Sequence, residues 1–271
     1  MRIVILGSGT GVPTVMRQPA GLVVQHDGQL LLLDSGSGTL ASLVRSGLDY
    51  RALDTLLYTH AHADHTLDLV AIVHALNFTP GYERSAPLRV IGPSGFSAFV
   101  ERLFAAYPSL EFRSYPLVVE ELDGASEDLG WALLTSAAVP HGNVPANAYR
   151  LKTPDGVVTF SGDCSPSQAL VDLAQGADLM FSEASFPVPV PEGEHHLTTS
   201  EAAKIAQEAR ARVLVLTHFY PWSDDYDPEE ESSRYFAGRV IPAEDNLVLD
   251  LQAGEVTALW DKVAGADAGQ R

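Results

Sequence analysis

Leu56-Leu-Tyr-Thr-His60-Ala-His-Ala-Asp-His65 places three imidazoles and one carboxylate within six residues. It follows an apolar, strand-like run and precedes Leu67-Asp-Leu-Val-Ala-Ile-Val-His-Ala-Leu76, whose apolar spacing predicts a helix. The His60-x-His62 alternation puts two imidazoles on one side of an extended segment. Asp64 and His65 come where the chain turns into the helix, so they can face a second point nearby. Such a stretch suits two metal ions better than one.

The rest of the chain supplies a frame for that stretch. Its 271 residues fall in the range of a single large α/β core, so one domain spanning 1–271 is expected, with an Ala/Gly-rich tail from about 263 disordered. With 46% hydrophobic and 19% charged residues, and no apolar run of about 18 residues, the composition is that of a soluble globular protein without a membrane span. Met1-Arg-Ile-Val-Ile-Leu-Gly7 is too short for a signal peptide and reads as a first strand. The single cysteine, Cys164, precludes an internal disulfide and fits a cytoplasmic, reducing setting as a small buried residue. A net charge of −18 disfavours general affinity for nucleic acid or anionic membranes, yet allows an anion site at bound cations.

Strand signals recur at 2–6, 20–25, 29–33, 55–58, 88–91, 110–119, 131–139, 147–152, 157–160, 177–182, 213–216, 246–251 and 255–259, with hairpins about Asp27-Gly28 and Pro154-Asp-Gly156. Helical spacing marks 39–46 and 96–107, the latter read as core packing, while Ser165-Pro166 is expected to open a helix running to Gln175. Thr198 and Glu201 are spaced as a capping box for a helix over 199–210. The acidic stretches 120–127 and 220–231 read as solvated loops, and the prolines of 187–191 as an extended connector. Gly7-Ser-Gly-Thr-Gly-Val-Pro-Thr14 lacks the Lys-Ser/Thr ending of a P-loop, so it is either a tight loop or a wall of the site. Asp34 either supports the site or forms a turn.

Three further candidates stand at strand ends: His141, Asp163 in Ser161-Gly-Asp163, and His218. Layered α/β folds carry sites at such ends. The natural partition gives one ion His60, His62 and His141, the other Asp64, His65 and His218, with Asp163 between them. His26 and His74 are expected to be structural or exposed.

On Leu6-Gly-Ser-Gly-Thr-Gly-Val-Pro13, Leu33-Asp-Ser-Gly36, the motif 60–65, His141, Ser161-Gly-Asp163, Ser182-Glu-Ala-Ser-Phe186, His196-Leu-Thr-Thr-Ser-Glu-Ala-Ala203 and Thr217-His-Phe219, the chain resembles the metallo-β-lactamase superfamily, and within it the ribonuclease Z-like branch. The resemblance implies an α+β fold, a four-layer αββα sandwich, and two divalent metal ions, zinc first, with manganese or iron as alternatives. It further implies that Asp64 orients the nucleophilic water as well as binding metal. His196 would stabilise the transition state or protonate the leaving oxygen, and Glu183 would hold His196 in the useful tautomer.

Substrate is where the chain departs from the branch. Members that process tRNA carry a long basic arm between the positions of His141 and Asp163, but only 21 residues separate them here, filled by the hairpin. After His218 the chain continues Phe219-Tyr-Pro-Trp-Ser-Asp-Asp225, an aromatic and acidic wall that favours a compact substrate. The expected activity is hydrolysis of a small phosphodiester such as a cyclic nucleotide or cyclic ribose phosphate. The alternatives are tRNA 3′ end cleavage, sulfate or carboxylic ester (lactone) hydrolysis, and a metal-binding scaffold without turnover. A homodimer is expected from the resemblance.

Overall fold

The computed structural model describes residues 1–12, 14–110, 114–186, 195–221 and 226–260. Strand β1 (Arg2–Gly7) shows how the layers arise: Ile3 and Ile5 point into one cluster, Val4 and Leu6 into another, and all four are buried. Side chains alternate along a strand, so a sheet covered on both faces reads as a continuous apolar run. Strands β2 (Gly21–His26) and β3 (Gln29–Leu33) form the expected hairpin, with positive φ at both Asp27 and Gly28. The sheet continues in parallel through β4 (Thr55–Leu57), β5 (Leu88–Gly92) and β6 (Leu117–Glu121).

A second sheet holds β7 (Ser126–Asp128), β8 (Leu133–Val139), β9 (Ala146–Thr153), β10 (Gly156–Phe160), β11 (Leu179–Glu183), β12 (Val213–Thr217) and β13 (Arg239–Pro242). β7 to β10 pair antiparallel and β10 to β13 parallel. The chain then returns to the first sheet as the hairpin β14 (Leu247–Gln252) and β15 (Glu255–Trp260), with β14 antiparallel to β1. Among the described residues the order is β15-β14-β1-β2-β3-β4-β5-β6 in one sheet and β13-β12-β11-β10-β9-β8-β7 in the other.

Ile3, Ile5, Leu31 and Leu57 of the first sheet pack against Tyr149, Leu151, Phe160 and Phe181 of the second. On the outer face of the first sheet lie α1 (Thr39–Arg45), the short α2 (Ala63–Thr66), α3 (Asp68–Phe78) and α4 (Phe96–Ala105), which bury Leu43, Leu69, Ile72, Val73 and Phe96. The second sheet is covered by α5 (Gln168–Leu173) and α6 (Thr199–Glu208), with α7 (Pro228–Ser233) against α6. The result is a four-layer αββα sandwich. Each fully buried Leu, Ile or Phe contributes about 1.5–3 kcal/mol of transfer free energy. Among the described residues no helix is long and apolar enough to cross a membrane.

Several expectations need correction. The segment 120–127 is a solvated turn only in its middle, where 123–125 are exposed; its flanks belong to β6 and β7. Glu120 and Glu127 both pair with Arg89 of β5, and the Glu121 carboxylate accepts from the backbone N–H groups of Gly95 and Ser97 at the start of α4. Strand β6 begins at Leu117 instead of 110, with 111–113 outside the described residues. Helix α5 is capped by Ser167, not Ser165: the Ser167 hydroxyl accepts from Leu170 N, while the Ser165 N–H donates to the carbonyl of Pro140. Part of 220–231 is α7, capped by the Asp227 carboxylate, which accepts from Glu229 N and Glu230 N. Tyr107 lies beyond α4 and is exposed, while Phe96 and Val100 are core as expected. The connector 187–191, residues 222–225 and the tail from 263 lie outside the described residues.

Candidate metal centre

The candidate residues converge at one end of the two sheets, where β3, β4, β10, β11 and β12 finish. Asp34 follows β3, His60 follows β4, His141 follows β8, Asp163 follows β10, Glu183 ends β11 and His218 follows β12. Two glycines permit the approach. A Cβ on Gly36 would sit 2.1 Å from the Asp64 carbonyl oxygen, and Gly162, at φ 58°, lies where a Cβ would meet Thr59 at 2.8 Å. Asp34 (φ 55°) and His218 (φ 60°) also hold left-handed backbone, uncommon for residues with a side chain.

The structure brings all seven candidate ligands together. Ligand atoms of His60, His62, His141 and Asp163 lie within 4.8 Å of one another, as do those of Asp64, His65 and His218. Asp163 stands between the groups: its Oδ2 is 3.7 Å from His60 Nε2, 3.3 Å from His65 Nε2 and 3.4 Å from His218 Nε2. Asp64 Oδ2 is 3.5 Å from His218 Nε2 and accepts from Gly11 N at 3.0 Å, so Gly11 of the glycine-rich loop walls the site. His62 alone is exposed, and its Nδ1 lies 3.2 Å from His141 Nε2.

Each buried imidazole is oriented from behind. His65 Nδ1 meets Asp34 Oδ2 at 2.8 Å, so Asp34 supports the site. His141 Nδ1 donates to the carbonyl of His195 at 3.0 Å. His60 Nδ1 lies 3.0 Å from Thr59 Oγ1, and His218 Nδ1 lies 2.9 Å from Ser185 Oγ. Such partners fix the tautomer and leave Nε2 for a ligand. Glu183, also buried, accepts from Cys164 N and Ser185 Oγ at 2.6 Å and meets His196 Nδ1 at 3.0 Å. The His196 ring stacks on that of His218 at 5.6 Å. The capping box expected at Thr198 and Glu201 is present, with the N-cap Thr198 two residues beyond His196.

A divalent cation fits this donor set. His60 Nε2 is fully buried with no hydrogen-bond partner, a costly state for an imidazole nitrogen unless it has a ligand. Burial, joined by the charge of neighbouring His65, holds His60 well below its ordinary pKa, in the neutral form that ligates. Burial alone would raise Asp163, but the charges of His218 and His65 outweigh it and hold the carboxyl well below its usual range. Burial alone would raise Asp64 too, but without a cation a hydrogen bond from His218 and the charges of His65 and His218 hold it below its usual range; for both acids those imidazole protons stand where a bound cation would take their place. Imidazole nitrogen with carboxylate oxygen suits zinc, manganese or iron.

Beside Asp64 a cleft of about 350 Å³ opens among Gly11, Val12, Pro19, Ala63, Leu67 and Tyr220, with neither Lys nor Arg among the described residues of its lining. Phe219, expected in the wall, is instead buried beneath the Arg17 guanidinium, 4.5 Å from its ring centre. His26 pairs with Asp155, His74 sits on α3 beside Phe78, and Cys164 is buried, as expected of residues outside the site. Sequence reasoning missed Thr59, Ser185 and the His195 carbonyl; their signal is only a hydroxyl next to a strand-end histidine or two residues after a strand-end acid.

Residues 30–219 match the sequence family described as a beta-lactamase superfamily domain. Ribonuclease Z of Methanosarcina acetivorans is 28% identical over 93% of this chain and 98% of its own length. Among solved structures, the metallo-beta-lactamase fold protein YhfI from Bacillus subtilis superposes with a TM-score of 0.79 at 23% identity, covering 91% of this chain and 98% of that one. A diphosphatase from the PhnP family gives 0.74 at 25% identity, covering 93% and 98%. The chain belongs to the beta-lactamase superfamily, as a metal-dependent hydrolase similar over nearly its whole length to ribonuclease Z.

Proposed function

We propose that the protein is a phosphodiesterase acting on a small substrate at two divalent ions, zinc first among them. The convergence of His60, His62, His141, Asp64, His65, His218 and Asp163 on one cluster, with the Glu183–His196 pair beside it, carries this reading. Bound divalent ions supply Lewis-acid polarisation of phosphoryl oxygens and lower the pKa of water. Asp64 holds its position through Gly11 N and faces the cleft, where it can orient a water. Glu183 accepts a hydrogen bond from the Nδ1–H of His196, which leaves the Nε2–H of the imidazolium to donate its proton to the leaving oxygen.

Two observations favour a small substrate. Among the described residues the cleft lining holds no Lys or Arg that would grip a polyanion, in a chain of net charge −18. Moreover, 93% of these 271 residues fill an alignment of 303 positions with the archaeal ribonuclease Z, leaving roughly 50 positions of that relative without a counterpart here. The similarity to a diphosphatase points the same way. Cleavage of tRNA 3′ ends is the second reading, favoured by the name of the first relative. The buried single thiol suits the cytoplasm, and we read the chain as one domain working as a homodimer, which light scattering in solution would check.

The test is a comparison of the metal-loaded protein on bis(p-nitrophenyl) phosphate, a 2′,3′-cyclic nucleotide and a precursor tRNA. Turnover of the first two is expected. Cleavage of the tRNA alone would sink the small-substrate reading, and inertness toward all three, and toward sulfate and carboxylic esters, would leave a scaffold.

A further inference from the structure

The two halves of the site hold their histidines by the same device. At the ends of β3 and β4, the Thr59 hydroxyl donates to Asp34 Oδ2 at 2.9 Å and lies 3.0 Å from His60 Nδ1, while His65 Nδ1 meets the same oxygen directly at 2.8 Å. At the ends of β11 and β12, the Ser185 hydroxyl donates to Glu183 Oε2 at 2.6 Å and lies 2.9 Å from His218 Nδ1, while His196 Nδ1 meets Glu183 directly at 3.0 Å. Each carboxylate thus serves one histidine by contact and a second through a hydroxyl. Parallel pairing explains the placement: Leu33 is opposite Leu57 in one sheet, and Glu183 opposite Thr217 in the other.

We propose that Ser185 is a positioning residue that fixes the His218 ring for a metal ion and ties it to the Glu183–His196 pair. A hydroxyl has one proton, and a carboxylate only accepts. The 2.6 Å separation is typical of O–H donating to a carboxylate, so that proton belongs to Glu183. His218 Nδ1 must then be the donor to Ser185 Oγ. Its Nε2, 3.4 Å from Asp163 and 3.5 Å from Asp64, therefore presents a lone pair to the cluster. The remaining contacts of the hydroxyl, 3.3 Å to the His218 carbonyl and 3.4 Å to His196 Nδ1, are long and secondary. Ser185 is completely buried. This assignment rests on the two-ion reading above.

Cobalt(II) titration followed by visible absorption tests it without reference to turnover. The unaltered protein should take up two equivalents. Ser185→Ala should weaken one of the two by about 10–100-fold and shift its absorption bands, while the other binds unchanged. Ser185→Thr should restore both, because it keeps the hydroxyl. If the alanine variant does not fold by near-UV circular dichroism, Ser185→Cys, similar in size but a weak donor, should show the same loss. Two tight equivalents with unchanged spectra in the alanine or cysteine variant overturn the proposal alone, as does failure of threonine to rescue. Uptake of fewer than two equivalents by the unaltered protein overturns the two-ion reading, and this proposal with it.

Discussion

Asp34 and His65, 31 residues apart in the chain, meet at 2.8 Å between Oδ2 and Nδ1, both buried beneath the histidine and carboxylate cluster. The contact turns His65 Nε2 toward His218 Nε2, 3.2 Å away. Loss of such a partner typically weakens metal binding by about 10–100-fold. Asp34→Ala should do so, read by competition with a chromophoric chelator. Unchanged affinity would mean that another group orients His65.

Thr59→Val removes a hydroxyl at nearly constant volume and leaves His60 Nδ1 facing a methyl group. A buried polar atom stripped of its partner costs about 1–3 kcal/mol. The urea midpoint of the metal-free protein should fall accordingly. A variant as stable as the original would show that the 3.0 Å contact to His60 carries no weight.

His196→Ala should keep the metal content, since its Nδ1 belongs to Glu183, yet lower turnover by about 10²–10⁴-fold, the span of general acid–base catalysis. Metal analysis beside steady-state kinetics decides the matter; loss of metal would make His196 a ligand instead.

Gly36→Ala should disrupt the site from a distance, because its Cβ would fall 2.1 Å from the Asp64 carbonyl oxygen and 2.6 Å from Pro19 Cβ. Gly47→Ala is the control: no atom lies within 4 Å of its Cβ, so only the backbone penalty at φ 77° applies, roughly 1 kcal/mol. Thermal denaturation of the pair should show a much larger loss at Gly36.

Chelation should destabilise the fold. An ion at 100 times its dissociation constant adds about 2.7 kcal/mol to the folded state. Adding EDTA should lower the melting temperature, and zinc or manganese should restore it. A melting curve indifferent to both would exclude tight binding at His60 and Asp163.

The acidic segments show why part of the fold was hidden in the sequence. Glu120 and Glu127 look solvated when read locally, and only the neighbouring strand β5 brings Arg89 to them. Ser165-Pro166 has the right chemistry to start a helix, but Ser165 instead joins the segment of Pro140 through its backbone N–H, and the cap is Ser167, two residues later. Local signals succeeded where the partner is near in sequence, as in the Asp27-Gly28 hairpin and the Thr198–Glu201 capping box.

By itself the sequence determined the alternation that builds two doubly covered sheets, and the 60–65 stretch whose close spacing suits a metal-binding loop. It also marked His141, Asp163 and His218 by residue type and position at strand ends. Only the tertiary structure decided that Asp34 backs His65, that Thr59 and Ser185 relay His60 and His218 to carboxylates, and that His195 holds His141. The reason is physical: a strand's period fixes which face a side chain takes, whereas a hydrogen-bond partner depends on which strands lie side by side, and pairings such as Glu183 with Thr217 join residues far apart in the chain.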